Sequence, residues 1–300
     1  MRLVSFDGGR VGILDADAII DITSLIPGGH DVGWPATTMP RAIAAFDEIS
    51  SSLTDVREDL PRIEISAAEI MAPVPRPGQL IALPANYDDH IGEMNSPNRA
   101  DRNGFFVLSP TSISGPASPI VLPDLDGYRV DHECELALII GRPTYRVDAG
   151  KALNHIFAYS CLIDMTVRGP QERAMRKSFK SFTPLGPHLV TADEIADPDH
   201  LSLTLSVNGQ VRHHGTTADM IVDVAHAIEL ISSVIPLSPG DVVATGTPAG
   251  VGPVAAGDRL HIDISGVGSM MLDVVQGTGG SNIAFAGRAP EHVPGGLSAR

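Results

Sequence analysis

The chain has 300 residues, is 43% hydrophobic but only 4% aromatic, and carries a formal net charge of −15. That length suits one large domain with a small one, or two medium ones, and the core must lean on Val, Ile, Leu and Ala. The negative charge argues against nucleic acid as a partner, because phosphate binding needs clustered Lys and Arg.

The opening MRLVSFDGGRVG lacks an apolar h-region, so no signal peptide is expected. No run approaches the ~18 apolar residues of a membrane helix, so no membrane partner is expected either. Cys134 and Cys161 lie in strand-like apolar runs and read as buried free thiols in a cytoplasmic protein. Residues 1–25 read as short strands, with Gly8-Gly9 making the first turn. Residues 40–58 suit a surface helix and 63–70 a short linker. Pro73, Pro75 and Pro77 then punctuate the chain, which places a boundary near residue 75 between a small β-rich N-terminal domain (1–75) and the rest.

Beyond it, strands are predicted at 79–83, 104–108, 118–122, 132–141, 156–164, 186–191, 201–207, 241–245, 259–264 and 270–275. Asn208-Gly209 between LTLSV and QVRHH is a two-residue hairpin signal. Met220, Val224, Ile228 and Ile231 recur at helical spacing and predict a helix over 219–235, capped by Asp219. Many strands and few helices point to a mostly-β, α+β chain. Residues 277–300, rich in Gly, Pro and Ala, read as a loose tail.

Candidate chemistry concentrates in D-H-E-C-E-L at 131–136. Residues two apart on a strand share a face, so Glu133 and Glu135 project together at one end of a buried strand. Adjacent carboxylates in an apolar setting repel and lose hydration, and a hard divalent cation resolves both problems. Taken by itself, E-x-E reads more readily as a solvated strand face, since exposed carboxylates are common. The run Phe157–Ile163 ends in Asp164, however, which offers a third carboxylate at a second strand end. His90 and Glu93, three apart, would share one side of a helical turn as an acid/base pair. They sit in a polar segment, 84–104, that suits a loop able to close over a site. Lys180 reads as solvated. T-G-T-P-A-G-V-G at 245–252 lacks a phosphate-loop pattern, and no nucleophile elbow or zinc-type spacing occurs.

Taken in order, these segments resemble the fumarylacetoacetate hydrolase family over roughly residues 76–276. The resemblance rests on N-Y-x-x-H-x-x-E at 86–93, D-x-E-x-E-L at 131–136 and D-x-T-x-R-x-x-Q at 164–171. It continues in K-S-F with P-L-G-P at 177–187, V-N-G at 207–209, and P-G-D-V-x-A-T-G-T-P-A-G-V-G at 239–252. It implies a mixed β-roll-like catalytic domain, a homodimer, and Mg²⁺ or Mn²⁺ as cofactor, with Ca²⁺ as a structural substitute. Carried over by position, Glu133, Glu135 and Asp164 are metal ligands, and His90, Glu93 and Lys177 are catalytic. Arg168, Gln171 and Thr247 contact the substrate or its activated water. The implied reaction is hydrolysis of a C–C bond in an acylpyruvate-like acid, a small anionic keto acid. Oxaloacetate-type decarboxylation, and hydration or isomerisation of an unsaturated 2-keto acid, use the same parts. A non-catalytic keto-acid binder is the reading from a different class. The chain departs from the family at Gly169-Pro170 and at Glu172-Arg173-Ala174-Met175, where an aromatic stretch is frequent, which leaves the substrate open.

Overall fold

The structure, a computed structural model, describes residues 1–29, 36–95, 97–279 and 282–286. The chain opens with an antiparallel meander, β1 (Arg2–Phe6), β2 (Arg10–Asp15) and β3 (Ala18–Asp21), followed by helices α1 (Thr38–Ala44) and α2 (Phe46–Val56) and strand β4 (Arg62–Glu64). The single helix expected over 40–58 is therefore two, broken at Ala45. Next come β5 (Leu80–Ala82), α3 (Asp88–Met94), α4 (Ala100–Asn103), β6 (Phe106–Leu108), β7 (Ile113–Ser114) and β8 (Ile120–Leu122). The central part holds β9 (Arg129–His132), β10 (Cys134–Ile140), α5 (Ala149–Ala152), β11 (Ile156–Ile163), β12 (Thr166–Arg168), α6 (Arg173–Lys177) and β13 (Thr183–Thr191). The chain continues through β14 (Ser202–Val207), β15 (Gln210–Thr216), α7 (Val224–Ser232), β16 (Val242–Ala244), β17 (Gly252–Pro253), β18 (Arg259–Ile264) and β19 (Gly268–Gln276).

Most strands join one mixed sheet in the order β4-β3-β2-β1-β13-β11-β10-β16-β5-β6, so the N-terminal meander continues the sheet through the β1–β13 pairing. A second sheet, β15-β14-β18-β19-β8, packs on one face, and a short β12-β9-β17 sheet stands at one end. The alternation along β10 shows why both faces are dry. Cys134, Leu136, Leu138 and Ile140 belong to the core shared with Leu203, Leu205, Ile262 and Leu272 of the second sheet. Ala137 and Ile139 face the opposite core, with Met39, Ile43, Ile49 and Leu53 of α1 and α2. A strand buried on both faces reads as a continuous apolar run, as this one does. The outcome is the mostly-β, α+β architecture expected.

Local signals mostly hold. Asn208 and Gly209 adopt φ of 52° and 79° between paired Val207 and Gln210, the left-handed pair that a tight hairpin requires. Cys134 and Cys161 are free and buried. The helix expected over 219–235 is shorter: α7 starts after Asp223, whose carboxylate accepts from the His226 amide, so Asp223 and not Asp219 is its cap. Met220 is held in extended pairing with Tyr87, and that tertiary contact overrides helical spacing. Of the predicted tail, Phe285 packs edge-on against Tyr128, while 280–281 and 287–300 lie outside the described residues. Among the described residues, no helix is long and apolar enough to cross a membrane.

Because β10 supports both cores, truncating it should be costly. Leu138→Ala should destabilise the fold by about 2–5 kcal/mol in denaturant unfolding, whereas Val211→Ala, on an exposed strand face, should stay within about 0.5 kcal/mol.

Candidate active site

Four strand ends meet at one edge of the main sheet. β10 and β11 run antiparallel with Glu135 opposite Leu162 and Cys134 opposite Ile163. The Asp164 amide continues that ladder by donating to the Glu133 carbonyl, 3.1 Å. Cross-strand partners share a face, so Glu133, Glu135 and Asp164 all project from the face that carries Ala137 and Leu162. One carboxylate oxygen from each lies within 4.8 Å of the others, and all three residues are buried. β16 pairs with β10, and β5 runs parallel beside β16, so the turns after both strands reach the same edge. The Gly246 amide donates to Glu135 at 2.8 Å. Gly246 has φ 90°, and a Cβ there would sit 2.8 Å from the Asn86 Cβ, so only glycine fits. Asn86 clamps the segment after β5 by donating to the Val222 and Thr245 carbonyls and accepting from the Val222 amide.

Buried cations balance part of this negative charge. The Lys177 ammonium uses all three protons, donating to Glu133 at 2.9 Å, Asp164 at 2.6 Å and Thr166 Oγ1 at 2.6 Å. Arg168 donates to Glu133 at 2.9 Å and to Asp131 at 2.7 Å, and Arg129 also pairs with Asp131. Burial opposes ionisation of Glu133, but Lys177 and Arg168 outweigh it and hold this carboxyl well below the usual range. Burial lifts Asp164 to about 6 despite Lys177. Burial also lifts Glu135 well above the ordinary carboxylate value, with repulsion from Asp164 and Glu133 adding to it. Asp164 Oδ1 is buried without a hydrogen-bond partner. Three converging oxygens, one unsatisfied, with protons held only by crowding, form a donor set suited to a hard divalent cation.

The three acids line a cavity of roughly 290 Å³ together with His90, Phe106, Arg168, Arg173, Arg176, Lys177 and Thr247. His90 and Glu93 stand on α3, as helical spacing predicts, with Nδ1 and Oε2 3.5 Å apart. Glu93 is in turn seated by the Gly250 amide, at 3.1 and 3.2 Å to its two oxygens. Burial disfavours its charge, yet His90 and the amides of Gly250 and Val251 hold its carboxyl below the usual range. Thr247 accepts from the Cys134 amide at 2.9 Å, which ties the 246–250 loop to β10. Gln171 is not brought to the cavity. Its amide donates to Tyr128 Oη at 3.0 Å and to the Ala284 carbonyl at 3.2 Å. Lys180 is exposed, as expected.

Sequence reasoning missed two supporting histidines. His213 donates from Nδ1 to the Pro248 carbonyl at 3.2 Å, so its Nε2 accepts from His132 Nδ1 at 3.1 Å. Burial, then each other's proximity, drives His132 to about 3, and burial lowers His213, so both are neutral and brace the 246–250 loop from behind. Nothing in the local pattern joins residues 81 positions apart. Arg173 stands out in the sequence only as part of a departure from a pattern, and no sequence signal singles out Arg176.

Comparison with known proteins agrees with this geometry. Residues 79–275 match the family model described as fumarylacetoacetate (FAA) hydrolase C-terminal. The chain belongs to the fumarylacetoacetate hydrolase family. It is 36% identical over 285 residues to a maleylpyruvate hydrolase of Aquipseudomonas alcaligenes, covering 91% of this chain and 99% of the relative. A crystal structure of maleylpyruvate hydrolase from Sphingobium sp. SYK-6, in complex with manganese(II) and pyruvate, superposes with a TM-score of 0.84. It is 41% identical, and the match covers 93% of this chain and all of that one. A mitochondrial oxaloacetate tautomerase of Bos taurus is 31% identical, with 92% of each chain covered. Members of this family with different reactions therefore resemble the chain over nearly its whole length.

Lys177 is the main neutraliser of two buried acids, and removing one partner of such a pair costs about 3–5 kcal/mol. Lys177→Met should therefore lower stability by roughly that amount near neutral pH in the presence of a chelator. The loss should shrink as pH falls toward about 6, because Asp164 without Lys177 takes up its proton at a higher pH than in the parent chain and leaves less charge uncompensated. Urea unfolding at several pH values measures this, and a pH-independent loss would make the effect one of packing alone.

Proposed function

We propose that the chain is a hydrolase, dependent on Mg²⁺ or Mn²⁺, that cleaves a C–C bond in an acylpyruvate-like 1,3-dicarbonyl acid. The observation that carries this reading is the buried triad Glu133, Glu135 and Asp164 on one wall of a cavity whose opposite element presents His90 with Glu93. In this reading the triad holds the cation, and the 2-oxo carboxylate end of the substrate lies against it. The bound ion supplies Lewis acidity to the pyruvyl carbonyl.

His90 takes a proton from a water molecule as that water's oxygen bonds to the acyl carbonyl carbon. Glu93, fixed by the Gly250 and Val251 amides, orients the imidazole. The tetrahedral adduct then breaks the bond between the acyl carbon and the methylene, whose electron pair becomes a pyruvate enolate. His90 returns its proton to that methylene carbon, so the products are a carboxylic acid and pyruvate. Lys177 and Arg168 lie beside the acids and supply fixed positive charge where the enolate develops. Thr247, on the loop that also carries the Glu135 amide donor, bounds the site at the water-attack side. The same parts would serve keto–enol exchange or decarboxylation, neither of which needs an attacking water. The oriented His90–Glu93 pair is what favours hydrolysis. A homodimer in the cytoplasm completes the proposal.

Removing divalent ions with a chelator should abolish acylpyruvate turnover, and Mn²⁺ should restore it. His90→Ala should lower kcat by about a hundredfold or more with Mn²⁺ affinity retained; an unchanged kcat, or faster turnover of oxaloacetate than of acylpyruvates, would overturn the hydrolytic reading. Because Asp164 and Glu135 hold protons that the ion must displace, Mn²⁺ affinity should rise with pH through about 6 and binding should release protons. Calorimetry in buffers of different ionisation enthalpy checks both.

A further inference from the structure

Two of the cavity's cations make no hydrogen bond or ion pair with a carboxylate among the described residues. Arg173, Arg176 and Lys177 lie at i, i+3 and i+4 along α6, one helical face, and all three line the cavity. Lys177, at the inner end, spends its three protons on Glu133, Asp164 and Thr166. Arg176 is half-buried and anchored by neutral partners only, donating from Nε to the Gln171 carbonyl at 2.9 Å and from Nη1 to the Val167 carbonyl at 3.3 Å. The Arg173 guanidinium lies over the Phe106 ring, 5.1 Å from its centre, and makes no hydrogen bond or ion pair among the described residues. Glu172, adjacent in sequence, faces solvent and caps α6 by accepting from the Ala174 amide. Burial, then repulsion from Arg168 and Arg173, lowers the Arg176 pKa against a weaker pull from Glu133 and Glu172.

The charge balance places the missing anion. Asp131, Glu133, Glu135 and Asp164 are matched at the inner end by Arg129, Arg168, Lys177 and a divalent ion, and one 2-oxo carboxylate then brings that end to neutrality. Arg173 and Arg176 remain, on the wall leading outward along α6. A guanidinium stacked on an aromatic ring keeps its N–H edge pointed sideways, a geometry matched to a carboxylate.

We infer that Arg173 and Arg176 bind a second carboxylate at the acyl end of the substrate, so that the chain selects dianionic over monoanionic acylpyruvates. The inference rests on the proposed 2-oxo acid site and adds to it the residues that read the substrate's far end. In a chain of net charge −15, such a local positive wall also opposes the general repulsion of a dianion.

The test uses two inert probes of equal length, 2-oxoheptanedioate and 2-oxoheptanoate, which differ only in a terminal carboxylate. Calorimetric titration of each into the Mn²⁺-loaded full chain should show the dianion binding about 10- to 100-fold tighter, with the preference falling as salt rises. Arg173→Gln and Arg176→Gln should each collapse most of that ratio, and Arg173→Lys should restore part of it. Equal affinity of the unaltered chain for the two probes would overturn the inference while leaving the 2-oxo acid site intact. So would a ratio that survives both substitutions in folded variants. Failure of both probes to bind would overturn the proposed function itself, and the inference with it.

Discussion

The site is organised by the repulsion among three carboxylates that the β10–β11 ladder forces onto one dry face. Glu133, Glu135 and Asp164 cannot separate, because each is set by the register of a strand buried in two cores. They expose little surface to water, so much of their charge is compensated from within the protein by Lys177, Arg168 and the Gly246 amide. The three acids respond unequally: Glu133, flanked by two cations, is held well below the usual carboxylate range, whereas burial raises Asp164 to about 6 and Glu135 well above its ordinary value. A metal-ligand set on paired strand ends is more rigid than one on loops, because backbone hydrogen bonds on both sides fix where each Cβ points.

A single loop joins this rigid end to the mobile-looking chemistry opposite. Residues 246–250 give an amide to Glu135, a hydroxyl acceptor to the Cys134 amide and an amide to Glu93. The loop therefore couples the acid triad to the His90–Glu93 pair without any direct contact between them. Its shape depends on close packing. A Cβ at Gly250 would fall 2.1 Å from the Arg212 carbonyl oxygen, so β15 lies directly behind it, and His213 on that strand holds the Pro248 carbonyl. The N-terminal strands contribute at a distance, extending the same sheet through β13 and covering its second face with α1 and α2.

Relatives that hydrolyse maleylpyruvate and tautomerise oxaloacetate match nearly the whole chain. The acids, lysine and loop of this chain suit any reaction that gathers negative charge on a pyruvyl fragment. Discrimination must then come from elements that vary around that fragment, and α6 is such an element here. Its Arg173 and Arg176 make that wall of the cavity cationic.

Much of this was legible in the residues themselves. Period-two alternation at 132–141, the Asn208-Gly209 turn and the three-residue spacing of His90 and Glu93 depend on neighbours in the chain, and local backbone geometry determines them. The ordered set of short motifs identified the family because their residue types answer to the same chemistry wherever they occur. Tertiary structure decided the rest. It replaced Asp219 by Asp223 as the cap of α7, because Met220 pairs with Tyr87 rather than continuing a helix. It turned Gln171 toward Tyr128, paired His132 with His213, and set Arg173 and Arg176 on the cavity wall with no ion pair among the described residues. Each of these rests on a contact between segments distant in sequence, where burial and charge are properties of the assembled surface and have no local signature.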